Sequence, residues 1–269
     1  NSLRVDLADY IGVVPTTVAV AMNGLKVPVK AMGAEARAVF ARLGIEEADV
    51  SYRMNANWRE NDETLTINDL QFDLAGAGGL GLSMILNGLP RTAIENPEML
   101  EDVLPTLLLS RAKVTLRDDS IVGKGLDMLA EKMKAPPERF RQQFADAMPL
   151  LLSLFVLRDP EITAMVRKSG LLAKLAPVVK AFIASPGSSI TVSLAPPKPL
   201  ALPDITGIAM QAPEALIDTL GFAVSSTGTI PGGNDGGGAP TPAPKQEAEE
   251  PTQPNSGMRG QAQPTTPAQ

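Results

Sequence analysis

The strongest regularity in the chain lies between Asp49 and Leu86, where apolar and polar residues alternate with a period of two. Val50, Tyr52, Met54, Ala56 and Trp58 fall on one side, the acidic run 60–63 turns the chain, and Leu65 and Ile67 then alternate with Thr64, Thr66 and Asn68. After an irregularity at Asp69 the pattern resumes at Leu70, Phe72 and Leu74. A glycine-rich turn follows over 76–79, and Leu80, Leu82, Met84 and Leu86 share a face opposite Gly81, Ser83 and Asn87. Successive side chains of a strand point to opposite faces, so this text predicts three antiparallel strands with one apolar face. Residues 3–29 alternate more loosely, with Val18, Val20 and Met22 against Thr17, Ala19 and Ala21, and Asn23-Gly24 offers a hairpin turn. Met32 to Leu43 spaces Ala36, Val39, Phe40 and Leu43 by threes and fours, and Gly44 stands where a left-handed helix cap belongs.

Beyond residue 90 the apolar spacing lengthens to that of helices. Four Pro-Glu pairs, at Pro97, Pro137, Pro160 and Pro213, punctuate their starts. Proline at the first helical position loses no needed hydrogen bond, and the glutamate after it meets the positive end of the macrodipole. Asn96 and Asp159 are expected to cap two of these starts. Residues 112–117 read as a strand, after which Asp118 or Asp119 caps a helix carrying the stripe Val122, Leu126, Leu129 and Met133. Phe140, Phe144, Met148, Leu151 and Phe155 form a second stripe. A third runs from Ile162 to Phe182, with Pro177 expected to bend or break its helix. Ile190, Val192 and Leu194 return the chain to strand form, a stiff proline-rich segment follows, and a helix over 213–220 precedes a last strand at 222–224. The expected fold is α+β: a curved antiparallel sheet of roughly six to nine strands packed around the helices of the second half.

Composition changes the picture in two places. From Gly228 onward the chain holds eight glycines, eight prolines and no aromatic residue, too little apolar surface to offset the entropy of ordering it. A single domain over 1–227 with a disordered tail over 228–269 is expected, the tail being a spacer or a tether for a protein partner. The second change is the complete lack of histidine and cysteine, which removes His-dependent nucleophilic triads, His- or thiolate-bound metals and disulfides. Carboxylate acid-base chemistry or a carboxylate-bound cation would remain, but no constellation for either stands out, so no enzyme activity, cofactor or metal is expected. Net charge is -6 and aromatic residues make up 4%, which argues against nucleic acid as a partner.

Several motifs have simpler explanations. Gly76, Gly78 and Gly81 satisfy G-x-G-x-x-G, yet the flanking alternation is that of a half-buried antiparallel strand and not of a dinucleotide-binding one. Glu60, Asp62 and Glu63 lack the ligand spacing of a calcium loop, and Asp118-Asp119 and Glu101-Asp102 read as helix-start charges. Arg167, Lys168, Lys174 and Lys180 read as solvent-face cations that could also meet anionic lipid.

The meander from Ala48 to Leu86, the phrase AKVTLRDDSIVGKGL, the phrase FIASPGSSITVSLAPPKPLALPDI and the closing LGFAV together resemble envelope proteins of alphaproteobacteria and, more distantly, the periplasmic AsmA-like and YdgA-type families. That resemblance implies a periplasmic or envelope location, attachment through an N-terminal segment lying before Asn1, and a role in lipid handling; it carries no site residues. From the residues themselves two functions compete. In one, sheet and helices leave an apolar groove for lipid or acyl chains, walled by Leu80, Leu82, Met84, Phe140, Phe144 and Phe155. In the other, the core is closed and the protein is a scaffold that recruits partners through its tail or an open sheet edge.

Overall fold

The computed structural model describes residues 1–156 and 160–227, excluding the side chains of 155–156 and 160–162. The described residues all fall in the first of the two units into which the chain divides. The tail expected over 228–269 lies outside the described residues, as does Asp159.

A single open antiparallel sheet organises the first unit. Its strands are β1 (Ser2–Ile11), β2 (Val14–Pro28), β3 (Glu47–Arg59), β4 (Thr64–Leu74), β5 (Gly78–Asn87), β6 (Leu108–Asp118), β7 (Ser189–Leu194), the two-residue β8 (Leu200–Ala201) and β9 (Ala223–Ser226). Their order is β1-β2-β3-β4-β5-β6-β7-β9, with β8 pairing the start of β6. The helices are α1 (Ala34–Arg42), α2 (Arg91–Glu95), α3 (Leu100–Val103), α4 (Ile121–Lys132), α5 (Pro137–Val156), α6 (Pro160–Ser169), α7 (Leu171–Ala184), α8 (Leu202–Gln211) and α9 (Leu216–Thr219). The architecture is α+β, with a curved sheet and a mainly helical second half.

The first hairpin turns at Gly12-Val13 and not at Asn23-Gly24. Gly12, at φ +59°, supplies the left-handed backbone that a two-residue hairpin needs. Asn23-Gly24 instead forms a bulge inside β2, where the Gly24 N–H donates to Ser51 Oγ at 3.1 Å. The irregularity expected at Asp69 is a second bulge, shifting the register of β4 against both neighbours. Gly44 closes α1 as expected: its N–H donates to the Ala41 carbonyl and the next N–H, from Ile45, reaches back to Phe40.

All four Pro-Glu pairs open helical turns, two of them 3-10 turns. Asn96 does not cap the turn after it; its side chain donates backwards to the Thr92 carbonyl. Asp118 does cap, accepting the Val122 N–H at 3.0 Å while 2% exposed. The long third helix breaks at Gly170, which takes φ +71° between α6 and α7, whereas Pro177 sits inside α7 without ending it. In α4 the buried face is Leu126 and Ala130; Leu129 and Met133 are exposed, so the expected stripe is rotated. The proline-rich stretch after β7 holds α8, whose first turn accepts Pro203 because the amide it lacks would have had no helical partner.

Packing gathers at two places. Leu126, Ala130, Phe140, Ala145, Phe182 and Ile183 form a helical core with Ile190 of β7 packed against it. At the other end of the strands Ile11, Trp58, Leu89, Ala93 and Leu107 form a second core under α2 and α3, joined by Leu65 and Leu86. Trp58 is 5% exposed, and its indole N–H donates to the Leu89 carbonyl at 2.9 Å. Trp58→Phe keeps most of the apolar contact but orphans that buried carbonyl, so unfolding in urea should show a loss of about 1–3 kcal/mol.

Candidate functional site

The register of the sheet lines up apolar side chains across all of its long strands. One row reads Val5, Val20, Met54, Leu70, Leu82, Val114, Val192 and Val224, each directly paired with the next. A second row, two residues along, reads Leu3, Met22, Tyr52, Phe72, Leu80, Leu116 and Ile190. On the other side of the first runs Leu7, Val18, Ala56, Ile67, Met84, Ala112 and Leu194. Directly paired residues share a face, as do residues two apart along a strand, so the three rows form one patch. At about 4.8 Å per strand, eight strands carry it about 34 Å across the sheet, and three rows make it about 14 Å wide.

No side chain in these rows is buried. Leu80 is 50% exposed, Phe72 48%, Leu116 43% and Val114 41%, although all four stand on interior strands. An interior strand buries its side chains only if something lies over that face; the helices reach this face at Ile190 of β7 and leave Phe72, Leu80, Val114 and Leu116 exposed. The helices pack chiefly on one another and touch the sheet mainly at β6, β7, β8 and β9, while α2 and α3 cover the row of Trp58, Leu65 and Leu86. None of the three open rows carries a charge; the Tyr52 hydroxyl turns back onto the Met54 sulfur at 3.4 Å.

The opposite face is its chemical complement. Arg4, Asp6, Arg53, Asn55, Gln71, Asp73, Ser83, Lys113, Thr115, Arg117 and Thr191 occupy the alternate positions of the same strands. Gly79 and Gly81 leave a depression there of about 350 Å³. Arg117 reaches over it to Asp73 at 2.8 Å and Asp119 at 2.9 Å, and the bond to Asp119 raises its pKa. Those charges satisfy one another.

The six residues read from the sequence as groove walls divide. Leu80, Leu82 and Met84 stand in the three open rows, one in each. Phe140 and Phe144 stand in the helical core and not in the open rows, their rings stacked 6.0 Å apart. The Phe155 side chain lies outside the described residues. Leu70, Phe72, Val114, Leu116 and Val192 belong to the patch as well. Their alternation was visible, but the register that makes them one surface was not.

The glycine motif is a turn and a strand: Gly76 takes φ +69° and Gly78 and Gly81 lie in β5, with the Gly78 backbone tight against the Arg117 carbonyl. Asp118 is spent on its cap, Asp119 on Arg117, and Glu101 is exposed in α3, at the other end of β6. In the acidic turn Glu60 pairs with Arg91 and Asp62 with Arg59, whose hydrogen bond lowers the Asp62 pKa. Lys180 pairs with Asp146 at 2.7 Å, whereas Arg167, Lys168 and Lys174 are exposed. Among the described residues no group of three or more acidic side chains gathers to hold a metal, and no helix is long and apolar enough to cross a membrane.

A family model described as "Uncharacterized protein" matches residues 71–227, from within β4 to the residue after β9. No curated protein and no solved structure matches the chain.

Proposed function

We propose that this chain, which belongs to the family of the model matching residues 71–227, binds acyl chains of lipid along the uncovered apolar face of its sheet. The observation that carries the reading is the row from Val5 to Val224: eight apolar side chains on eight successive strands, none of them buried. Soluble proteins rarely leave such a surface to water, and large exposed apolar patches mark the places where apolar partners sit. A patch without charges or converging polar groups selects for hydrocarbon, not for a headgroup, which makes chain length and saturation its natural specificity. Binding and release, with no covalent step, are the proposed activity, and the cell envelope, where acyl chains are at hand, is the proposed location.

Magnitudes favour exchange over storage. A chain lying on one face loses about half its water contact, or about 0.4 kcal/mol per methylene, so a 16-carbon chain gains roughly 6 kcal/mol and a two-chain lipid roughly 12. Association costs at least about 4 kcal/mol, which leaves a two-chain lipid with micromolar affinity at best. Titrating the purified full chain with a fluorescent acyl probe that carries two 16-carbon chains, together with mass spectrometry of an organic-solvent extract and a mock purification, tests the reading. Saturable probe binding displaced by phospholipid is expected. Absence of saturable binding at micromolar protein, with a clean extract, would return the function to that of a scaffold.

A further inference from the structure

The apolar patch runs off the sheet at β1, and that edge is unusually open. Every residue from Ser2 to Tyr10 is exposed, and β1 pairs only with β2 among the described residues. Natural edges are blunted by proline, by short length, by inward charges or by bulges. The far edge follows this rule, β9 being four residues long. In β1 the sole irregularity is Asp9, at φ +52°, which drops out of the pairing with β2 near the turn without shifting its register and leaves Ser2–Ala8 as seven regular residues.

We infer that β1 pairs antiparallel with β1 of a second copy of this chain, about a two-fold axis through Val5. The sequence of the edge is complementary to itself in that register. Val5 meets Val5 of the other copy, Leu3 meets Leu7, and Ser2 meets Ala8. On the polar face Arg4 meets Asp6 and Asp6 meets Arg4. Within one chain these two charges already touch at 2.7 Å, but with side chains 77% and 54% exposed that contact is worth little and is free to be exchanged for its equivalent across the axis. Opposite charges placed directly across an antiparallel pair attract, and like charges repel. An axis perpendicular to the sheet keeps each face on its own side. The Val5 row therefore continues into its copy, the Leu3 and Leu7 rows join, and the apolar surface becomes sixteen strands and about 70 Å long. The use of that longer surface for acyl chains rests on the reading above; the pairing itself does not.

Sedimentation equilibrium of the full chain tests it through mass alone, independently of lipid. Arg4→Asp and Asp6→Arg alter exposed side chains and should leave the fold intact, as circular dichroism will show. Each variant alone places like charges opposite each other and should dissociate at least tenfold more readily than the wild type. In an equimolar mixture of the two, a chain with acidic side chains at both positions meets a chain with basic side chains at both, and the dimer mass should be recovered as a heterodimer. No contact inside one chain produces that recovery. A wild type that stays monomeric throughout, variants that dimerise as well as the wild type, or a mixture that stays monomeric would each overturn the pairing, leaving the edge to a strand of another polypeptide.

Discussion

Leu82→Glu is expected to weaken acyl-probe binding more than tenfold while leaving the protein folded. Leu82 stands midway along the row that crosses all eight strands, between Leu70 and Val114, and is only partly buried. In the free protein a glutamate there keeps most of its water, because nothing covers the face, so the cost to stability should stay near about 1 kcal/mol. When hydrocarbon lies over it, the carboxylate must lose that water with no cation on the patch to receive it. Burial of an unpaired charge costs several kcal/mol, and each factor of ten in affinity corresponds to about 1.4 kcal/mol. Ser83→Glu is the matched control. It adds the same charge one residue along the same strand, on the opposite face and directly across from Lys113, and should leave probe binding unchanged. Equal losses in both variants would mean that overall charge, and not the apolar face, governs binding.

The contrast between these neighbours reflects what was legible in the sequence. Alternation along β3, β4 and β5 was strong enough to give each strand and its apolar side, and the bulge at Asp69 showed as a break in that alternation. The turn of the first hairpin was not legible, because Asn23-Gly24 has the chemistry of a turn and serves as a bulge, while Gly12-Val13 does the turning. Local propensity is the same in both uses. Only pairing with Tyr52 and Val50 of β3 tells them apart, and that is a long-range fact. The helices α2, α3 and α9, of four or five residues, are too short to show a period. Gly170 broke the third helix where Pro177 was expected to, because a proline costs one helical hydrogen bond while a residue at φ +71° leaves the helical region altogether.

The candidate surface was legible only in part, for a related reason. Apolar periodicity says that a face is greasy and is silent on what covers it. Leu80, Leu82 and Met84 of β5 and Phe140 and Phe144 of α5 have the same kind of pattern, yet the first three face open space and the last two face α4 and α7. The deciding fact is a balance of surfaces. The helices satisfy much of their apolar demand among themselves, through Leu126, Ala130, Ala145, Phe182 and Ile183, and contribute little cover to the middle strands. A nine-stranded sheet offers more apolar face than such a cluster can hide, and the excess is what the proposed ligand covers.

Phe140→Ala is the substitution that separates the two kinds of greasy surface. Phe140 is 9% exposed, stacks on Phe144 and touches the core that joins α4, α5 and α7. Truncation there removes buried ring contacts and leaves a cavity whose helical walls close only partly, a loss of about 3–5 kcal/mol. Since a domain of this kind has about 5–15 kcal/mol in total, the urea midpoint should fall by roughly a fifth or more. The acyl probe, measured at a temperature where the variant is still folded, should bind within twofold of the wild type, because the open rows on β2 to β7 do not include this ring. The opposite result, in which Phe140→Ala loses the probe while still folded, would move the ligand off the sheet face and into a space lined by the helices. Leu82→Glu and Phe140→Ala thus exchange their effects on binding under the two geometries, while the loss of stability stays with Phe140→Ala.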